Sequence, residues 1–169
     1  MRSVGNGGNL LLNVPPDRTG RIHAADSASL VGFRKLRETA FANDLLQKAT
    51  ISSNVLPTKK ITTLNDHDIE TYWVSTQKEN TRLLVNFPGK VLLNTLVLEE
   101  MIAYGQRVSA FTIEAFDGKE FKTVFTGSTI GRKKIASFPQ QETTQLRITL
   151  RNAKAAPVLR SIAAYHIAN

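Results

Sequence analysis

The stretch Leu64-Asn-Asp-His-Asp-Ile-Glu-Thr-Tyr-Trp-Val-Ser75 divides the chain into two kinds of sequence. It holds the only tryptophan, Trp73, directly after Tyr72 and downstream of the turn formers Asn65, Asp66 and Asp68. A polar turn running into an aromatic pair suits the edge of a β-domain, with the indole packed under a loop. Upstream of it the apolar residues recur at helical spacing, and downstream they alternate.

Downstream, Leu83, Val85 and Phe87 alternate with polar neighbours, and Pro88-Gly89 reads as a turn before a second strand, residues 90–100. Phe111, Ile113 and Ala115 face one way, and Asp117-Gly118 then signals a hairpin into residues 120–125. Residues 134–138 make a short strand. Leu146, Ile148 and Leu150 against Arg147, Thr149 and Arg151 give the cleanest alternation, and residues 159–167 close the chain. About seven short strands at this spacing predict an antiparallel sandwich or jelly roll.

Upstream, Leu10-Leu-Leu-Asn-Val14 lies between Gly5-Asn-Gly-Gly-Asn9 and Pro15-Pro16. A short apolar run so bounded fits a strand buried on both faces. After the turn Asp17-Arg-Thr-Gly20, Leu30, Phe33, Leu36, Ala40 and Phe41 predict an amphipathic helix that begins near residues 24–27, with Asp26 as cap or first-turn acid. One strand and one helix cannot build a core alone. Ser52, Ser53, Asn54, Pro57 and Lys59-Lys60 read as a linker or loosely held strand, and the boundary is placed near Ala49.

At 169 residues and 41% hydrophobic composition, the chain is long and apolar enough for a real core. No apolar run approaches the roughly 18 residues that span a bilayer, and the first eight residues lack the layout of a secretory leader. The absence of cysteine excludes disulfides and thiol chemistry. The net charge of +8 is weighted late, in Arg132, Lys133, Lys134, Arg147, Arg151, Lys154 and Arg160. Spread over several strands and not interleaved with aromatics, these residues read as solvated strand faces and disfavour a nucleic-acid site.

Catalytic groups are hard to find. His23, His67 and His166 have no metal-ligand spacing. The glycines of residues 5–9 precede a strand, whereas a phosphate loop follows one and ends in Gly-Lys. Asp66, Asp68 and Glu70 sit in one short segment, which suits a capped turn or a loop for a hard cation better than a catalytic pair. A binding role asks less. Sandwich domains bind at their loop ends, where an aromatic ring stacks on a sugar and polar side chains bond its hydroxyls. The candidate ligand-binding residues are His67, Tyr72, Tyr104, Gln106, Arg107 and Arg132, and the candidate calcium-loop residues are Asp66 and Asp68. Trp73 reads as core.

Two sets of motifs carry a family likeness. Residues 8–20, Gly-Asn-Leu-Leu-Leu-Asn-Val-Pro-Pro-Asp-Arg-Thr-Gly, followed by Ile22-His23 and the helix, resemble the end of the catalytic barrel in family 29 glycoside hydrolases, the α-L-fucosidases. Asp66-His-Asp-Ile-Glu-Thr-Tyr-Trp73, Tyr104-Gly-Gln-Arg-Val108, Phe111-Thr-Ile-Glu114 and residues 127–135 resemble the discoidin-like (coagulation factor 5/8 type C) domain that follows the barrel in many members. The resemblance implies a mainly β chain: an antiparallel discoidin-like jelly-roll sandwich, residues 50–169, preceded by a strand-plus-helix remnant of a (β/α)8 barrel, residues 1–49. It places the family's catalytic carboxylates on earlier barrel strands, so this chain alone is expected not to be an enzyme. Its implied role is non-catalytic: binding a fucose- or galactose-containing glycan, docking to the parent catalytic barrel, or both. It further implies a secreted or periplasmic parent. Without its barrel the remnant exposes apolar surface, so the helix is expected to pack on the sandwich, or residues 1–49 to self-associate by pairing residues 10–14 with another copy of the chain. Calcium is the one cofactor implied, although the chain has His67 where the family often has Gly, and residues 157–169 contain no acid. The alternative is a free-standing basic adhesion module for acidic polysaccharide, phospholipid or nucleic acid.

Overall fold

In the computed structural model, residues 3–56, 60–151 and 153–168 are described. Met1 and Arg2 of the leader reading, and Pro57 and Lys59 of the linker reading, lie outside them. Seven strands form one continuous antiparallel sheet that folds over on itself: β1 (Thr50–Ser53), β2 (Trp73–Val74), β3 (Thr81–Glu100), β4 (Ala110–Phe116), β5 (Phe121–Gly127), β6 (Lys134–Arg151) and β7 (Val158–Tyr165).

The folding-over is done by β3 and β6. Their first pairing, Thr81↔Leu150 to Asn86↔Gln145, joins β1 on one side and β4 and β5 on the other. Their second, Thr95↔Ser137 to Leu98↔Lys134, joins β7 and through it β2. Between these lies a third short pairing, Val91↔Thr143 to Leu93↔Gln141, with an irregularity on each side of it; in the first, residues 87–90 of β3 lie opposite the single residue Thr144 of β6. A bulge of that size bends and twists a strand, so each long strand serves both layers. Pro88-Gly89 therefore does not end a hairpin, as the dipeptide suggests. Proline, with no N–H to donate, is tolerated where the ladder is interrupted.

Alternation then fills the space between the layers. Leu83, Val85, Phe111, Ile113, Leu146, Ile148 and Leu150 from one layer meet Trp73, Leu96, Leu98, Leu159, Ile162 and Ala164 from the other. Outward on the first layer, Arg147 grips Glu114 with two hydrogen bonds of 2.7 and 2.6 Å and lies 4.3 Å over the Phe121 ring. The Asp117-Gly118 hairpin forms as expected, with Gly118 at φ 99° and Asp117 Oδ1 accepting from the N–H groups of Lys119 and Glu120.

Two consequences can be measured. A Cβ at Gly127 would stand 2.4 Å from the Phe111 ring, so Gly127→Ala is expected to cost about 2–3 kcal/mol in urea unfolding through overpacking. The Arg147 guanidinium holds the Glu114 carboxyl below its ordinary range, against the opposing effect of burial. A depressed carboxylate stabilises fully above its unfolded value, about 4.3, and less as pH falls through its folded value. Glu114→Gln should remove roughly 1 kcal/mol at pH 7 and flatten the decline in melting temperature below pH 4.5.

The N-terminal part departs from expectation. Residues 10–14 join no strand ladder, and Leu11 is 94% exposed. The helix α1 (Ala24–Ala40) forms where expected, with Asp26 as its first-turn acid and His23 as its cap, accepting from the Ala25 N–H through Nδ1. None of its residues is buried, and Val31, Phe33 and Leu36 face solvent. The helix does not lay its apolar stripe on the sandwich, and among the described residues no second layer meets that stripe. The N-terminal part is held near Gly5 and Phe41 instead. Ile135 N–H donates to Gly5 O, and the Phe41 ring meets the Tyr165 ring edge-on at 5.0 Å. Asp44, itself buried, accepts from the Leu46 and Ala164 N–H groups, and Leu46 is fully buried in the core.

Candidate functional site

The loop that enters β2 and the loops that leave β3 and β5 meet at one end of the sandwich, and a buried carboxylate ties the last two together. Glu100, at the end of β3, accepts N–H bonds from Arg107 (2.8 Å) and Val108 (2.9 Å) on one oxygen and from Gly131 (2.8 Å) on the other. Gly131 sits at φ 63°, a conformation glycine adopts without strain, and Gln106 lies over it. Arg107 is spent on the scaffold as well, donating to Tyr104 O and Ala156 O.

On this frame stand two phenols, Tyr104 exposed and Tyr72 half-buried. Tyr72, one residue before the buried Trp73, and Tyr104 share an O–H···O bond of 2.9 Å, with ring centroids 5.1 Å apart and planes 52° from parallel. The shared bond, and then the neighbouring phenol's charge, raise the Tyr104 pKa. Tyr104 remains 49% exposed. Trp73 fixes one ring through its anchor in the core, and Glu100 fixes the other through the loop it braces. The result is a rigid aromatic surface with hydroxyls at its edge, the chemistry that suits the apolar face of a sugar.

The other candidates go elsewhere. His67 adopts φ 61° and turns toward the opposite cleft. There its Nε2 lies 2.6 Å from Gln47 Nε2 and 3.4 Å from Asp44 Oδ2. That cleft, about 580 Å³, runs between the end of α1 and the outer face of β7, with Phe41, Glu99, Lys133, Arg160 and Tyr165 in its walls. Burial, and next the Asp44 charge, push the Tyr165 phenol up to about 12. Arg132, next to Gly131, shares a small cleft with Glu100 and residues 101–103 and lies 3.4 Å from Asn9 Oδ1. Sequence separation concealed this division, and the six ligand candidates do not form one site.

Asp66 and Asp68 turn their carboxylates on their own loop. Asp66 accepts from the Asp68 N–H and from the Thr71 hydroxyl, and Asp68 accepts from the Glu70 N–H. These are capped turns. Among the described residues, no three His, Asp or Glu side chains come together.

Glu99, Glu100 and Arg160 did not stand out as functional residues in the sequence. The only signal was an acid pair at the end of the apolar run Leu96-Val-Leu98, where two charges on a buried strand require partners.

No family model matches the chain. A protein of Oryza sativa subsp. japonica provisionally named alpha-L-fucosidase 1 is 29% identical over 165 residues, which are 94% of this chain and 32% of that protein. Alpha-L-fucosidase 1 of Arabidopsis thaliana is 27% identical over 172 residues, 96% of this chain and 34% of its own length. The crystal structure of SpGH29 superposes with a TM-score of 0.89 at 26% identity, over 98% of this chain and 37% of that one. The CBM32 domains of Clostridium perfringens ZmpB share the fold over 72% of this chain, with a TM-score of 0.62 at 21% identity. The chain thus spans about a third of the length of the curated relatives it matches, and the relatives and structural neighbours that resemble it from end to end are α-L-fucosidases.

Proposed function

We infer that this chain is the C-terminal, non-catalytic portion of a family 29 fucosidase-like glycoside hydrolase, a sandwich that docks on the catalytic barrel and presents Tyr72 and Tyr104 to a glycan. One observation carries the reading. Nearly the whole chain matches proteins three times its length, while the apolar residues of 10–12 and the α1 stripe stay uncovered within it. A (β/α)8 barrel takes about 250 residues, more than are present here. In such a barrel, residues 10–14 would be the last strand, buried on both faces, and Val31, Phe33 and Leu36 would line the inner side of the last helix. The division falls at 1–49 and 50–169, and Asp44 and Leu46 act as the seam that holds the first part to the second.

A retaining glycosidase requires two carboxylates about 5 Å apart across the sugar, and the family places them on barrel strands that precede this stretch. The chain alone should therefore leave a chromogenic fucoside intact. The deciding observation is the DNA upstream of the Met1 codon. An open frame that encodes a barrel with its catalytic aspartate supports the reading. A promoter and ribosome site immediately upstream, or fucoside turnover by the isolated chain, would sink it. The glycan role has its own measurement. Binding of a neutral fucosylated oligosaccharide should weaken about tenfold in Tyr104→Ala and change little with salt, since a stacked neutral sugar releases no counterions.

A further inference from the structure

Scattered in sequence, the late basic residues separate in the fold. Arg147 pairs with Glu114, and Lys134 reaches Asn6 Oδ1 at 2.7 Å. Arg132, Lys133 and Arg160 instead meet in one place, a cleft of about 410 Å³ whose other wall is Val4, Gly7, Gly8, Asn9 and Leu10. Among the described residues, no carboxylate lines it. Behind it the buried Glu99 pairs with Lys133 at 2.8 Å and with Arg160. One acid therefore serves two cations, and Arg132 adds a third charge whose hydrogen bond among the described residues is the long one to Asn9. Glu100, the next residue, has both oxygens taken up by three backbone N–H groups. Even counting its charge, positive charge is in excess at this spot. The crowding has a cost within the chain. Burial, and then repulsion from Arg132, hold the Lys133 ammonium below its ordinary range.

We propose that this cleft is a binding site for an oxyanion (a sulfate, phosphate or carboxylate group) held by Arg132, Lys133 and Arg160 against the glycine-rich arm. Guanidinium forks match the planar pairs of oxygens that such a group offers, and Lys133 adds a point charge between them. Gly7 and Gly8 leave part of the opposite rim without side chains, so a ligand can approach the backbone there. Glu99 anchors the inner ends of Lys133 and Arg160 and so presets the cluster before a ligand arrives. Arg132 and Arg160 also line a small cleft with Glu100 and residues 101–103, so the site neighbours the loop that carries Tyr104.

The test is a titration of the full 169-residue chain with sodium sulfate, with ionic strength held constant by chloride, following the arginine Nε–H signals by NMR. Saturable shifts at Arg132 and Arg160 are expected. Binding should be about tenfold weaker in Arg132→Gln, whose exposed side chain can be removed without disturbing the core, and similarly weakened in Lys133→Gln. A sulfated disaccharide and its unsulfated form, run in parallel, tell the two sources apart. Tighter binding of the sulfated sugar than of inorganic sulfate identifies the oxyanion as glycan-borne, and equal binding identifies a free ion. The proposal is overturned if sulfate gives no saturable shifts, or if both variants bind it as the unmodified chain does.

Discussion

Glu100→Ala is expected to destabilise the chain by about 4 kcal/mol in urea unfolding, the largest effect of any single side chain outside the apolar core. The carboxylate receives three backbone N–H groups from two different loops. Its removal leaves Arg107, Val108 and Gly131 as buried, unanswered donors, and each such group costs about 1–3 kcal/mol. Glu100→Gln separates charge from geometry. Its carbonyl oxygen can still accept from Arg107 and Val108, but its amide would face the Gly131 N–H donor to donor, for a loss of about 2 kcal/mol. The damage should also be local. Amide exchange should quicken across residues 101–108 and 128–132, and the Tyr104 ring should lose its fixed position. An alanine variant as stable as the parent would mean that the loops are not tied at Glu100.

Trp73→Ala should cost about 3–5 kcal/mol, the range for deleting a large, fully buried aromatic side chain. Against a total stability of about 5–15 kcal/mol for a domain this size, that change alone brings the chain close to unfolding at ordinary temperature. Trp73→Phe should be much milder. The indole Nε1 has no hydrogen-bond partner among the described residues, so phenylalanine loses volume but breaks no bond and removes an unsatisfied donor. Differential scanning calorimetry of the two variants reads the contrast directly. Equal losses would place a hidden partner on the indole nitrogen.

These two residues differ in how visible they were beforehand. Trp73 is legible because its neighbours explain it: a tryptophan at the start of alternating sequence, just past a capped turn, has one economical place to go. The same logic reads β4, the C-terminal half of β6 and the Asp117-Gly118 hairpin, where local alternation and turn chemistry agree. Glu100 is not legible in this way. An acid that follows an apolar strand is compatible with a solvated strand end, and only the return of residues 107, 108 and 131 to the same point makes it a knot.

Pro88-Gly89 shows the limit of local signals. The dipeptide is turn chemistry in isolation, yet β6 pairs with β3 on both sides of it, so the chain bends where it was expected to reverse. Residues 10–14 show the converse limit. Their pattern is that of a doubly buried strand, and the pattern describes surroundings that this stretch of chain does not supply. Helix α1 is the same case, amphipathic in sequence and uncovered in the fold.

What the amino-acid sequence determines by itself is whatever depends on near neighbours: the change of period at Trp73, the capped acidic turn, the alternating strands and the helix. The tertiary structure alone decided which distant residues share a site. It set Tyr72 beside Tyr104, sent His67 to Asp44, and drew Arg132, Lys133 and Arg160 around Glu99. The reason is physical. Alternation and capping act over a few residues, whereas the meeting of loops depends on a register set across β3 and β6, where a bulge of a few residues carries every later loop to a new position.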